Sequence, residues 1–248
     1  MRFDRHPPPY LMRYLKTVGR GINRYSMLRR NDRILLSISG GKDSLALALA
    51  MALRRRHIPI HYDLEAVLIN WHQYPHPPEK LSALQDFFRE IAVPLRVIDA
   101  DIYPESFSGR FNCYLCGRNR RRILFEHVSG WEGRPLIATG HHLDDIVETT
   151  LMNLFFRGSF ATMKPVQSFF DDRLRIIRPL CLVKEETISL ITRRLNLPVS
   201  TIACPLRDRN IRSVLKPMIR ELERINPQVR ENIQKSHGNI NHEYLPEL

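Results

Sequence analysis

The sequence predicts an α/β protein built on a doubly wound parallel sheet, with helical additions at its N- and C-terminal ends. Three observations predict this. Short apolar runs rich in Ile, Leu and Val alternate with segments of helical periodicity, the pattern of strands joined by helical crossovers. One run, Arg33 to Ile38, passes through a glycine turn straight into an Ala/Leu-rich segment ending at Leu53, giving strand, turn and helix in succession. No internal repeat, low-complexity tract or flexible linker interrupts the 248 residues, a length that suits one compact domain with additions. The expected boundaries are a helical arm over 1–30, the α/β domain over 31–183, and a helical extension over 184–248 packed on the same domain.

Taken in order, the prolines at 7 to 9 stop any earlier structure. From Tyr10, the positions Leu11, Tyr14, Leu15 and Val18 follow helical spacing, with Arg13, Lys16 and Arg20 between them. Gly19 and Gly21 are expected to weaken or end this helix, and a second short helix is expected to run to Arg29. The basic face of this arm can touch RNA or simply be solvated. Tyr62 to Asn70 reads as the second strand, residues 71–78 as a proline-broken loop, and Glu79 to Ala92 as a helix through Leu81, Leu84, Phe87, Phe88 and Ile91. Leu95 to Ile98 is the third strand and Arg134 to Gly140 the fourth, followed by a helix from about Leu143 to Phe156. Leu174 to Ile177 is a fifth strand, and the basic segment from Lys184 is helical, with turns at Asn196-Leu197-Pro198 and Asn226-Pro227. Ligands of such sheets sit beyond the carboxyl ends of the strands, where the glycine turn, Asn70 and the Gly140-His141-His142 turn fall.

Composition narrows the function. The hydrophobic content of 43% supports an ordinary core, and no run approaches the ~18 apolar residues of a membrane span. The N-terminus has no apolar stretch resembling a secretion signal, so the expectation is a cytoplasmic protein with no membrane partner. A net charge of +12 and a pI near 10.0 point to a polyanionic partner, and RNA accounts for more positive charge than a nucleotide site needs. Four cysteines are too few for a disulfide scaffold of this length.

The turn itself is Ser39-Gly40-Gly41-Lys42-Asp43-Ser44. Glycines let the backbone turn tightly and approach a ligand closely, and the N–H groups at the start of the following helix suit a phosphate. The string lacks the spacing of a Walker A loop and of a dinucleotide fingerprint. It resembles the pyrophosphate loop (PP-loop) of the ATP-pyrophosphatase superfamily, whose fold is that of the adenine nucleotide alpha hydrolases. That resemblance implies ATP cleaved between its α and β phosphates, with adenylation of a substrate carbonyl oxygen.

Cys113-Tyr114-Leu115-Cys116 is a C-x-x-C followed by the basic run Arg118, Arg120, Arg121 and Arg122. A zinc knuckle, a redox dithiol and an iron–sulfur ligand pair all use this spacing, and spacing alone puts zinc first. A full zinc site needs a further close-set pair, whereas this chain adds only Cys204 and an isolated Cys181, read as a buried small residue. The loop, the C-x-x-C, the Thr139-Gly140-His141-His142-Leu143-Asp144-Asp145 turn and the downstream Cys204 together resemble the tRNA 2-thiocytidine synthetase family. The likeness extends through residues 153–158, 163–165 and 177–180, and covers roughly residues 10 to 235. It reverses the ranking of the metals, implying a [4Fe–4S] cluster on Cys113, Cys116 and Cys204 with one iron left open. Better-known members have a second downstream C-x-x-C, where this chain has Arg207 in the last position.

The resemblance implies that Ser39, Gly40, Gly41, Lys42, Asp43, Ser44, Asn70, Gly140, His141, Asp144 and Asp145 bind the nucleotide, with Lys42 and Asp43 catalytic. Mg²⁺ prefers carboxylate and phosphate oxygens, which fits Asp43 and an aspartate of the 144–145 turn; helix capping is the structural use of the same aspartates. His141 contacts the nucleotide or makes a structural hydrogen bond. The expected activity is an ATP-dependent tRNA sulfurtransferase that adenylates a cytidine O2, at position 32 of the anticodon loop, and replaces it with sulfur. Its expected partners are tRNA, a sulfur donor (a cysteine desulfurase or sulfide) and a second copy in a homodimer. The rival readings are a uridine 2-thiolase or lysidine-type ligase of the same superfamily, and a zinc-stabilised RNA-binding protein without catalysis.

Overall fold

A computed structural model describes residues 7–103, 112–200, 202 and 211–244. Six strands form one sheet in the order β3-β2-β1-β4-β6-β5, where β1 is Asp32–Ile38, β2 Tyr62–Trp71, β3 Leu95–Ala100, β4 Leu136–Ala138, β5 Val166–Phe169 and β6 Leu174–Ile177. All neighbours run parallel except β5, which pairs antiparallel with β6 at the edge. The chain winds outward from β1 through β2 to β3, then returns to place β4 on the other side of β1. Strand order therefore reverses between β1 and β4, and the loops leaving these two strands flank one crevice.

Helices cover both faces of the sheet. The first two helices are α1 (Pro9–Arg24) and α2 (Lys42–His57); α2 is buried continuously from Ser44 to Leu53 because it lies between β1 and β2 on one side and α1 on the other. A helix enclosed on all sides carries no polar face there, which is why its sequence reads as an unbroken Ala/Leu run. Next come α3 (Pro78–Glu90) and α4 (Cys113–Val128). Ile123, Leu124 and Val128 of α4 close over Leu35, Val67, Ile69, Ile137 and Ile176, one residue set from the alternating faces of the strands. After α5 (Leu143–Arg157), helix α6 (Glu185–Arg194) packs on α2, and α7 (Arg212–Ile225) and α8 (Val229–Ser236) follow.

Two compact units result: Met1–His142 with Pro165–Leu206, which holds the sheet, and Leu143–Lys164 with Arg207–Leu248. The second unit is a helical cluster in which Leu143, Val147 and Leu151 of α5 pack on Leu215 and Ile219 of α7. This division differs from boundaries at 30 and 183. The arm's apolar face is part of the sheet unit's core, and α5 shares its apolar face with α7 rather than with a segment next to it in sequence.

Three local features also differ from the sequence expectation. Helix α1 does not end at its glycines; it runs through both, and residues 25–31 form turns instead of a second short helix. A Cβ on Gly19 would lie 2.4 Å from the Arg54 guanidinium, and one on Gly21 would lie 3.3 Å from the Cys181 sulfur and from the Pro179 carbonyl oxygen. These glycines permit close approach, and the packing outweighs their low helix propensity. Strand β5 was not expected, since its four residues gain their hydrogen bonds only from β6. Helix α4 was likewise not foreseen behind the C-x-x-C motif; Asn112 caps it by accepting from the Leu115 N–H at 3.0 Å.

Candidate active site

The first part of the site is built by the turn between β1 and α2. Gly40 has φ +75°, a left-handed conformation, and a Cβ there would lie 2.7 Å from both His76 Cε1 and the Ser200 carbonyl oxygen. Ser44 closes the turn from the helix side: its hydroxyl donates to the Gly41 carbonyl at 2.9 Å and accepts from the Ser39 N–H at 3.2 Å. Gly41 is the N-cap of α2, so the first amides of a 16-residue helix open at the turn.

The turn after β4 lies beside it. A Cβ on Gly140 would stand 2.9 Å from the Asp43 carbonyl carbon and 3.0 Å from the Ser44 nitrogen, so only glycine lets these two backbone segments touch. His141 Nδ1 is 2.9 Å from the Thr139 hydroxyl, and buried His142 places Nε2 3.7 Å from Asp43 Oδ1. Lys42 Nζ lies between two carboxylates, Asp43 at 2.8 Å and Glu185, at the start of α6, at 3.0 Å. Burial pulls the Lys42 pKa down, but the hydrogen bonds and charges of Asp43 and Glu185 outweigh it and hold the ammonium above its ordinary value. A cation, an accessible carboxylate and helix amides thus converge on one crevice, a set suited to polyphosphate oxygens.

A polar chain, buried at Asn70, His76 and Ser200 and exposed at Asp99, supports the turn from behind. Asn70 donates to Asp99 at 2.7 Å and accepts from the His76 N–H at 2.9 Å, His76 Nδ1 is 2.6 Å from Ser200 Oγ, and the Ser200 N–H donates to the Gly40 carbonyl at 2.9 Å. Asn70 therefore acts here through the loop it organises. Sequence reasoning missed His76, Ser200, Asp99 and Glu185, which come from four separate segments and carry no motif. Only the polar residues near the carboxyl end of β2 hinted at them.

Burial, and then the positive charge of Arg120, lower the His76 pKa. The unfolded chain then takes up this proton before the folded one does. The stability from neutral His76 is fully present above its ordinary value near 6.5 and is lost as pH falls through that value toward the folded one. Thermal unfolding of wild type is expected to drop more between pH 7.5 and pH 5 than that of His76→Gln. Parallel curves for the two proteins would remove His76 from the pH response.

Asp144 and Asp145 open α5 and belong to the helical unit. Asp144 is buried with Oδ1 3.0 Å from Arg230 Nε, an ion pair inside that unit. Cys113 and Cys116 lie on the first turn of α4, one exposed and one half-buried. Three residues apart on a helix, they share a face. Cys181 is fully buried, and burial pushes its thiol pKa up to about 12. Among the described residues no His, Cys, Asp or Glu joins Cys113 and Cys116 in a group of three, so neither Cys181 nor His141 is gathered there as a zinc ligand. Cys204 and Arg207 lie outside the described residues.

Fold and crevice together define an α/β protein whose sheet switch point is suited to a nucleotide's phosphates. The PP-loop domain family matches residues 14–201. A tRNA-cytidine(32) 2-sulfurtransferase of Bdellovibrio bacteriovorus is 31% identical over 238 residues, covering 94% of this chain and 90% of that protein. One from Geobacter sulfurreducens is 32% identical over 247 residues, covering 96% and 94%. The chain belongs to the PP-loop family of tRNA-cytidine 2-sulfurtransferases. Its fold is that of the U34-tRNA thiolase NcsA from Methanococcus maripaludis, solved with its [4Fe–4S] cluster, at a TM-score of 0.76 and 22% identity over 96% of this chain and 80% of that one. No described helix is long and apolar enough to cross a membrane.

Proposed function

We propose that the protein is an ATP-dependent tRNA sulfurtransferase that activates a cytidine O2 by adenylation and exchanges that oxygen for sulfur. One observation carries this reading: the sheet unit that holds the glycine turn, with Lys42 and Asp43 at its helix start, also presents the Cys113 and Cys116 sulfurs on the first turn of α4. A phosphate site alone would serve any PP-loop ligase, and the thiols add sulfur chemistry. In this reading the turn binds the β,γ-pyrophosphate, and Lys42 exchanges its carboxylate partners for phosphate oxygens as the O2 attacks the α-phosphorus. Asp43 holds Mg²⁺ against the triphosphate, since hard cations take carboxylate oxygens. Asp145 stays a further candidate ligand; Asp144 has Arg230 as its partner.

The cysteines fit a soft metal group, because the two side chains on the first turn of α4 that share a face as donors are both sulfur. Cys113, Cys116 and Cys204 would hold a [4Fe–4S] cluster, which when bound supplies an iron with a position open to a sulfur ligand. Support comes from Ile202, which packs on the same apolar cluster as Cys116 and stands two residues before Cys204 in the chain. The NcsA structure, which shares the fold, contains such a cluster. A base at position 32 lies in the anticodon loop, where unstacking costs little. The sulfur donor, a cysteine desulfurase or sulfide, the cytoplasmic location and assembly as a homodimer belong to the same proposal.

Incubating anaerobically prepared protein with ATP, sulfide and tRNA tests it. AMP, pyrophosphate and a 2-thiocytidine nucleoside are the expected products, and thiouridine or lysidine would replace this reading with one of the rivals. Arg118, Arg121 and Arg122 are exposed on α4 and Arg120 is half-buried. Replacing Arg120, Arg121 and Arg122 by Ala is expected to flatten the dependence of log tRNA affinity on log salt by about 0.7–0.9 per lost phosphate contact. An unchanged slope would place this run outside the interface.

A further inference from the structure

We infer that helix α1 is a tRNA-backbone contact, its outer row Arg13, Lys16, Arg20 and Arg24 lying along successive phosphates; the inference rests on the tRNA-modifying reading above. All four side chains are exposed, while Leu11, Tyr14, Leu15, Val18 and Ile22 on the opposite face are buried. The apolar face is already taken by the core, so the helix cannot lie on a membrane by it. Its position is fixed: Tyr14 donates to the Ala46 carbonyl of α2 at 2.8 Å, and Arg54 of α2 donates to the Leu15 carbonyl at 3.0 Å.

The charge pattern sets this row apart from an ordinary solvated face. Other surface helices mix signs and pair them, as in Arg89 with Asp86 on α3, Arg122 with Glu126 on α4 and Arg224 with Glu221 on α7. The 16 residues of α1 contain no acid, and none of its four cations forms an ion pair with a described carboxylate. Like charges three and four residues apart destabilise a helix, and the absence of an acid in the first turn forgoes a favourable dipole interaction. Such a row is costly unless a polyanion neutralises it. Its cations step along the axis by about 4.5–6 Å over roughly 16 Å, a reach that one nucleic-acid strand can follow. A compact acidic ligand would engage only one or two of them.

The test is tRNA binding by the full chain across a salt series, with the quadruple variant Arg13→Gln, Lys16→Gln, Arg20→Gln and Arg24→Gln. Gln is a good helix former, so the helix should persist, and unchanged ATP binding checks the fold. The magnitude of the slope of log affinity against log salt is expected to fall by about 3, at 0.7–0.9 per phosphate contact. A control quartet, Arg89, Arg193, Arg194 and Arg224 to Gln, removes the same charge elsewhere and is expected to change the slope by less than about 1. Equal effects from both quartets would show a net-charge effect and overturn the contact. So would an unchanged slope in a wild-type background that binds tRNA, which leaves the sulfurtransferase reading standing. Absence of tRNA binding by wild type removes both.

Discussion

Lys42→Ala is expected to lower pyrophosphate release about 10²–10³-fold while the protein stays folded. The folded state loses little, because Lys42 stands at the first position of α2 and is partly exposed, and Ala is the best helix former. The reaction loses much. Expulsion of pyrophosphate concentrates negative charge on the leaving oxygens, and a fixed ammonium in a partly desolvated crevice opposes that charge more strongly than water does. Asp43 and Glu185 keep this ammonium protonated throughout the neutral range. Asp43→Ala acts at a different point: it removes the carboxylate proposed to hold Mg²⁺ and a neighbour of His142, so its defect should ease at raised Mg²⁺ while that of Lys42→Ala should not. Gly140→Ala should abolish the same step through geometry, because its methyl would enter the Asp43–Ser44 backbone, which has no flexible end to move. AMP and pyrophosphate, quantified together, check all three. Release of ADP and phosphate by wild type would sink the assignment of the α–β cleavage.

Much of the fold could be read from the chain because its central elements are long and locally consistent. The strand at 34–38, the glycine turn and the buried α2 each carry their own signal, and the 174–177 strand falls where its apolar run predicts. What failed is what tertiary contacts decide. Gly19 and Gly21 look like helix breakers until Arg54 and Cys181 are seen lying against them. The four-residue β5 has too few positions for a period, and α4 begins in a C-x-x-C whose spacing says nothing of helix. The site divides in the same way. Residues contiguous in a motif, Ser39 to Ser44 and Gly140 to His142, are brought together in the crevice. Residues that support them from a distance, His76, Ser200, Asp99 and Glu185, carry no motif because each acts through contacts made only after folding. Asp144 shows the converse: it matches a motif, yet its carboxylate meets Arg230, whose position more than eighty residues later gives no warning.

Cys113→Ala and Cys116→Ala are each expected to lose bound iron and tRNA thiolation together, with little change in Tm. Both residues lie on the first turn of α4, Cys113 exposed and Cys116 half-buried at the edge of the apolar cluster, so Ala preserves the helix and removes little beyond a sulfur ligand. Cys204→Ala should match them on the family resemblance. Cys181→Ala should do the reverse, keeping iron and thiolation but lowering stability by about 1 kcal/mol, since a buried sulfur against Gly21 would leave a small void. The contrast tests geometry as well as chemistry. A structural zinc site closes its tetrahedron with a fourth protein ligand, and with Cys181 or His141 as that ligand a third donor would stand beside Cys113 and Cys116. No such group exists among the described residues. Iron, acid-labile sulfide and zinc analysis on anaerobic wild type and the four variants, with thermal unfolding of each, reads both halves. Protein holding one zinc and no iron, or Cys113→Ala retaining wild-type iron and activity, would end the iron–sulfur assignment. Loss of iron in Cys181→Ala without loss of fold would instead move the third ligand to the buried cysteine.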